Sequence, residues 1–373
     1  MALSARPSRL MRMIIVCLLF TTACTTANPT TRSTTAASTP QPIPTGSNTI
    51  GPTTEASVVA TPSLGAAAVA PGAGTFVNPV IDRDFPDPGV LRVGDTYYVY
   101  ATNGAGANIQ AARSKDLVHW DPLVDVLPIL PTWAERGFTW APDVIETIPG
   151  GSYVMYFTAR HRASGKQCIG VASATTPDGL FDPKGDQPLI CQIDEGGSID
   201  PSAFKDDDGQ RYVLWKNDGN CCGFDTWLYI QKVAPDGVTL QGAATRLIDQ
   251  TLAWEGSLVE APTMWKHGGM YYLFYSANRY SGLAYAVGYA KAPALLGPYT
   301  KPGTPLLTTS QKNGPVFGPG GQTIVVAKDG RTWMLYHSWD PTITYRAMNI
   351  DELVWEGDVP VVKGPNRIPE PVP

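Results

Sequence analysis

From about residue 76 to the C-terminus, hydrophobic side chains come in short β-branched and aromatic runs cut by turn dipeptides. Tyr-Tyr-Val-Tyr at 97–100 and Trp-Met-Leu-Tyr at 333–336 are representative. An aromatic, two residues and a second aromatic recur as Tyr97 and Tyr100, Tyr153 and Tyr156, Tyr212 and Trp215, Tyr272 and Tyr275, Trp333 and Tyr336. From one pair to the next the interval is nearly constant. Each pair follows a tight-turn dipeptide: Gly94-Asp95, Gly150-Gly151, Asp208-Gly209, Gly268-Gly269 and Asp329-Gly330. Such dipeptides supply the φ > 0 positions that short hairpin loops need, so each pair predicts a strand.

A second marker trails each unit, Trp120, Phe181, Leu240, Tyr299 and Trp355, and keeps the same interval independently. Five units of roughly 58 residues, each with several short strands, are the signature of an all-β, five-bladed β-propeller over residues 76–373. A sandwich would show strands without this period.

The stretch before residue 76 lacks the pattern. Arg6, Arg9 and Arg12 precede an eight-residue apolar run, Met13 to Phe20, and Thr22-Ala23 leads into Cys24. So short a run cannot span about 30 Å of hydrocarbon, and 1–24 reads as an export signal. Its Ala-Cys ending resembles a bacterial lipoprotein signal, with Thr21 where such signals usually carry Leu. Lipidation at Cys24 and simple secretion both remain open, so the expected location is secreted or cell-surface. Residues 25–75 are Thr-, Ser-, Ala- and Pro-rich and carry Arg32 and Glu55 as their only charges, the composition of a disordered tether.

Composition narrows the function. Lys and Arg number 28 against 33 Asp and Glu, a net charge of −5, which argues against a nucleic-acid footprint. The 37 Gly, 34 Pro, 16 Tyr and 10 Trp suit a turn-rich β fold. The four His show no spacing for a catalytic zinc. No Gly-rich phosphate loop and no Gly-x-Ser-x-Gly elbow occurs.

Acids recur near the start of the units: Phe85-Pro86-Asp87-Pro88, Trp140-Ala141-Pro142-Asp143, Ile199-Asp200-Pro201 and Glu260-Ala261-Pro262, with Gly318-Pro319-Gly320 in the fifth. Asp87, Asp143, Asp200 and Glu260 each stand about one repeat apart, as if ringed around one end of the channel. The plain alternative is that Asp-Pro and Pro-Asp steps simply make turns. Four converging carboxyls would raise one another's pKa, however, and are costly without a use. Two carboxyls across a pocket can split a glycosidic bond, one protonating the leaving oxygen and the other activating water. Phe85, Trp140 and Trp254 are the nearby aromatics expected to stack on sugar rings.

These segments, with Asn78-Pro79-Val80, Ser198-Ile199-Asp200-Pro201 and Val259-Glu260-Ala261-Pro262, resemble glycoside hydrolase family 43 over the whole of 76–373. That family contains five-bladed propeller arabinanases, arabinofuranosidases and xylosidases. The resemblance implies Asp87 as general base, Glu260 as general acid and Asp200 as the third acid, which raises the pKa of the general acid and holds it. It implies inversion, with base and acid roughly 6.5–9.5 Å apart. Asp143 matches no catalytic member, and Arg346 resembles a substrate-contacting arginine. Many members follow Gly-Pro-Gly with a His that holds an ion or water in the channel. Here Gly321-Gln322 follows, with His337 as a partial substitute, so no cofactor is required and a central calcium is in doubt. Lys216-Asn217-Asp218-Gly219-Asn220 and the chain's end at Pro373, without the xylosidases' extra sandwich, favour arabinose-containing substrates over xylosides.

The expected partner is an oligo- or polysaccharide, with no nucleic acid and membrane contact only through Cys24, on a monomer. A β-xylosidase and a non-catalytic sugar-binding propeller are the alternatives; a retaining fructan enzyme would need an Asn-Asp-Pro-Asn type motif, which is missing. Cys168, Cys191, Cys221 and Cys222 allow three pairings, and disulfides are plausible in an exported protein.

Overall fold

The computed structural model describes residues 72–373. The expected signal over 1–24 and most of the tether lie outside these residues. Each blade is an antiparallel sheet whose strands follow one another in chain order. Blade 1 comprises Gly89–Val93, Thr96–Ala101, Gln110–Ser114 and Trp120–Pro122. Blade 2 comprises Ala134–Ile148, Ser152–His161, Gln167–Ala174 and Asp182–Lys184. Blade 3 comprises Ser198–Lys205, Arg211–Asn217, Trp227–Val233 and Leu240–Asp249. Blade 4 has three strands, Val259–His267, Met270–Ala277 and Ala286–Ala292, with a bridge from Lys291 to Thr300 at its outer edge. Blade 5 comprises Phe317–Val326, Thr332–Trp339, Arg346–Glu356 and Val359–Val362. The five-bladed propeller is thus the fold.

The predicted hairpins form where the turn dipeptides stand. His267 pairs with Met270 across Gly268-Gly269, both at positive φ (56° and 81°), which a side chain would resist. The ring closes through the N-terminal segment. Thr75–Phe76 pairs with Glu370–Pro371, Val80 N–H donates to Met348 O (2.9 Å), and Phe85 N–H donates to Arg346 O (2.8 Å). The Asn78 side chain donates to Ile350 O (2.7 Å) and accepts from Ile350 N–H (2.9 Å). Blade 5's own fourth strand covers only Leu353–Glu356, so this segment completes its edge and ties first blade to last.

Two residues three apart on a strand face opposite sides, so each aromatic pair serves both seams of its blade. In blades 1 and 2 the first aromatic (Tyr97, Tyr153) packs toward the preceding blade and the second (Tyr100, Tyr156) toward the following one. In blades 3, 4 and 5 the order reverses: Tyr212, Tyr272 and Trp333 face forward, and Trp215, Tyr275 and Tyr336 face back. The aromatic marker has the right period but slips by one residue between the second and third blades.

The expected ring of acids is also corrected. On or just before the first strand of each blade, one residue takes the left-handed conformation: Asp87 (φ 57°), Ala141 (43°), Asp200 (56°), Ala261 (50°) and Gly321 (59°). These five are the equivalent positions. Only Asp87 and Asp200 belong to the set; Glu260 comes one residue earlier and Asp143 two later. All five pass their N–H to a side chain of the preceding blade, four of them to the equivalent residue at the end of its second strand. Asp87 donates to His337 Nδ1 (3.1 Å), Ala141 to Thr102 Oγ1 (2.9 Å), Asp200 to Thr158 Oγ1 (3.1 Å) and Gly321 to Ser276 Oγ (2.9 Å). In blade 3 the matching residue is Lys216, which cannot accept, and Ala261 N–H goes to Asp200 Oδ2 instead (3.0 Å). A left-handed non-glycine residue costs about 1–3 kcal/mol, so the interblade bonds hold a strained ring around the channel mouth.

Candidate active site

The strained ring surrounds a cavity of about 930 Å³. Asp87, Asp200 and Glu260 all line it, from blades 1, 3 and 4, as do Trp140 and Arg346. The three acids predicted as a constellation therefore do meet, although their backbone positions are not equivalent.

Asp87 is gripped by blade 5. Arg346 NH1 lies 3.5 Å and His337 Nδ1 3.2 Å from its Oδ1, and Thr102 Oγ1 donates to its Oδ2 (2.7 Å). Burial pushes the carboxyl's pKa up, but the Arg346 guanidinium and the Thr102 hydroxyl hold it well below the usual carboxylate range. Gly321 permits this packing: a Cβ there would sit 2.6 Å from His337 Nδ1 and 2.8 Å from Asp87 Oδ1.

Glu260 is only 9% exposed and accepts a hydrogen bond from Lys216 Nζ at Oε2 (2.9 Å). Lys216 is wholly buried, and its Nζ lies 3.9 Å from Asp218 Oδ1. Burial lowers the lysine's pKa, but Glu260, Asp200 and Asp218 raise it further, so it stays an ammonium. Among the described residues Asp200 has no ion-pair partner. Burial first, then the Glu260 charge, push it up to about 8 against the pull of Lys216. At neutral pH the Asp200–Glu260 pair thus holds a proton. Replacing Lys216 by Met is expected to cost about 3–5 kcal/mol in urea unfolding, because it strands a buried carboxylate. A loss under about 1 kcal/mol would mean that solvent already screens the pair.

Other sequence expectations are redrawn. Phe85 has no exposure; it lies in the seam of blades 1 and 5 beneath Arg83 and cannot stack on a sugar. Trp254 stacks on Tyr275 (5.9 Å) in the space left by Gly288 and packs into the seam of blades 3 and 4, away from the cavity wall. Both rings turn inward because the seams are the nearest apolar surface. His337 is fully buried beneath Asp87, stacked on Tyr285 (5.8 Å), so it positions the acid and does not touch substrate. Asp143 ties blade 2 to blade 3 by accepting from Ala203 N–H (2.7 Å), and burial pushes it up to about 7. Sequence reasoning missed Lys216 as a site residue. Its signal is a lysine where the other blades carry Thr, Ser or His, legible only once the slip is known.

A channel calcium would need six to eight oxygen ligands. His337 Nε2 is buried without a partner, but it is a lone nitrogen, and the Gln322 amide is taken up by Ser276 and Ala261. Among the described residues these groups do not supply an oxygen cage. The four cysteines among the described residues pair as Cys168–Cys191 and Cys221–Cys222, the second a bond between adjacent residues.

Residues 76–360 match the family model described as glycosyl hydrolases family 43. A solved thermostable family-43 glycoside hydrolase is 32% identical, with a TM-score of 0.72, over 80% of this chain and 99% of that one. An extracellular endo-α-(1→5)-L-arabinanase of Thermotoga petrophila is 30% identical over 58% of this chain and 50% of its own length. Xylosidase/arabinosidase 43B of Humicola insolens is 27% identical over 72% of this chain and 50% of its own. The chain spans about half the length of these two curated relatives.

Proposed function

Because the chain belongs to glycosyl hydrolases family 43, we propose that it is an exported glycosidase of plant cell-wall polysaccharides. Its proposed bond is the α-L-arabinofuranosidic linkage of arabinan or arabinoxylan, opened in a single displacement. The observation that carries this reading is the meeting of Asp87, Asp200 and Glu260, from three blades, in one sugar-sized cavity beside Arg346 and Trp140.

Asp87, kept ionised by Arg346 and Thr102, takes a proton from the attacking water. Glu260 protonates the departing glycosidic oxygen, drawing on the proton that it shares with Asp200. Once Glu260 has given up that proton it bears a negative charge, and Lys216 already touches its Oε2. The ammonium therefore favours the transition state over the ground state, which is what accelerates a step. Trp140 and Arg346 hold the sugar. Export is supported by the features of residues 1–24 and by a relative whose name includes "extracellular".

The likeness to a xylosidase/arabinosidase favours a second reading, β-xylosidase action at the same acids. A screen of linear arabinan, arabinoxylan, xylo-oligosaccharides and aryl glycosides, with product lengths followed in time, separates the two. Release of xylose and not arabinose would overturn the preferred substrate; no turnover on any of them would overturn the hydrolase.

The pH profile has a fixed sign. The proton on the Asp200–Glu260 pair is lost as pH rises through about 8, so kcat/KM is expected to fall above that value. The acid limb belongs to Asp87 and lies below the ordinary carboxylate range. Lys216 lowers the Asp200 pKa, so Lys216→Met is expected to move the basic limb upward. A basic limb that stays in place would separate Lys216 from the proton-holding pair.

A further inference from the structure

The loop after Lys216 carries a feature that the reaction above leaves unused. Residues 218–226 connect the second and third strands of blade 3, and Asp218, Asn220, Cys221, Gly223, Phe224 and Asp225 all line the cavity. Both ends of the loop are pinned. Buried Asn217 donates to Asp225 O (3.0 Å) and Glu195 O (3.1 Å) and accepts from Trp227 N–H (2.6 Å). A Cβ on Gly219 would lie 2.4 Å from Asp225 O, so the two limbs are in close contact. The middle is locked by the bond between the neighbouring Cys221 and Cys222, with Lys166 of blade 2 against Cys222 Sγ (2.7 Å). Beyond it Phe224 is 53% exposed on the cavity rim.

The loop's place relative to the acids identifies its occupant. Asp87, which activates water, is held by blade 5. Glu260, which faces the departing oxygen, is held by Lys216 at the root of this loop. The sugar that leaves therefore lies on the side of blades 3 and 4.

Resting on the hydrolase reading, we propose that the Cys221–Cys222 disulfide and Phe224 form the apolar wall of the leaving-group subsite, a rigid shelf for the C–H face of the departing sugar. Sulfur is soft and polarisable and, like the phenyl ring, suits a C–H surface. The covalent lock removes most of the freedom that a Gly-flanked loop would lose on binding, which is how preorganisation raises affinity.

The test compares substrates that reach the shelf with one that does not. For C221S/C222S and for Phe224→Ala, KM for arabinobiose is expected to rise about tenfold with kcat little changed, the size of one lost apolar contact. Methyl α-L-arabinofuranoside, whose leaving group is too small to reach, should change less than about twofold by the same criterion. Dithiothreitol should reproduce the effect in the wild type and do nothing further to C221S/C222S. Equal losses on both substrates, or no loss on either, would overturn the shelf. Binding is read without turnover by titrating arabinotriose or xylotriose into Asp87→Asn protein with and without C221S/C222S. A Kd about tenfold weaker with the serines is expected; an unchanged Kd, or no binding of either sugar, overturns the inference whatever the protein hydrolyses. Absence of turnover by the wild type, with the Kd shift intact, sinks the hydrolase reading alone.

Discussion

Asp87→Asn is expected to lower kcat on arabino-oligosaccharides by about 10³-fold, inside the 10²–10⁴ range of a positioned acid or base, while oligosaccharide binding survives. The substitution separates chemistry from architecture unusually well. Asp87 holds a left-handed conformation that Asn adopts as readily, and an Asn side-chain oxygen still accepts from Thr102. If the residue only shaped a turn at the mouth of blade 1, the variant would keep its turnover. What Asn cannot do is take a proton from water. Rates and isothermal titration on the same preparation decide between these roles, and near-wild-type kcat would end the assignment of Asp87 as base.

Glu260→Gln is expected to be as damaging on arabino-oligosaccharides, a loss of about 10²–10⁴ in kcat/KM, but far milder on 4-nitrophenyl glycosides. A sugar alkoxide is a poor leaving group and needs the proton; nitrophenolate hardly does. The basic limb near pH 8 should vanish with the acid pair that produces it. A loss that is equal for both leaving groups would make Glu260 a structural partner of Lys216 and not a proton donor. Proton NMR of the first-formed sugar completes the picture, since a retained anomer would require a covalent intermediate and exclude a single displacement.

Several features of the site are readable in the amino-acid sequence. Asp87 and Asp200 sit beside prolines at blade spacing because each occupies the left-handed turn that admits the chain into its blade. Glu260 reaches the cavity from a position one residue off that turn, next to Ala261, which occupies it, so the repeat places it only approximately. Phe85 and Trp254 failed for a common reason. An aromatic near an acid in sequence has two apolar destinations, a sugar face or a blade seam, and composition does not rank them. Each took the seam, where the ring is covered on more sides and more apolar area leaves water. Lys216 was hidden by the one-residue slip of the aromatic marker: on the slipped alignment it falls beside Ala101 and Phe157, and on the true one beside Thr102 and Thr158.

The amino-acid sequence alone determined the five-fold period, the strands, the turns and the identity of the acids, because these rest on local rules of alternation, φ preference and repeat. Which charge faces which was decided only by the tertiary structure. Closing the ring put Arg346 and His337 of the last blade against Asp87 of the first, from the opposite end of the propeller's chain, and put Lys216 of blade 3 under Glu260 of blade 4. A carboxyl's proton affinity is set by burial and by charges a few ångströms off, and neither is written in the residues beside it along the chain.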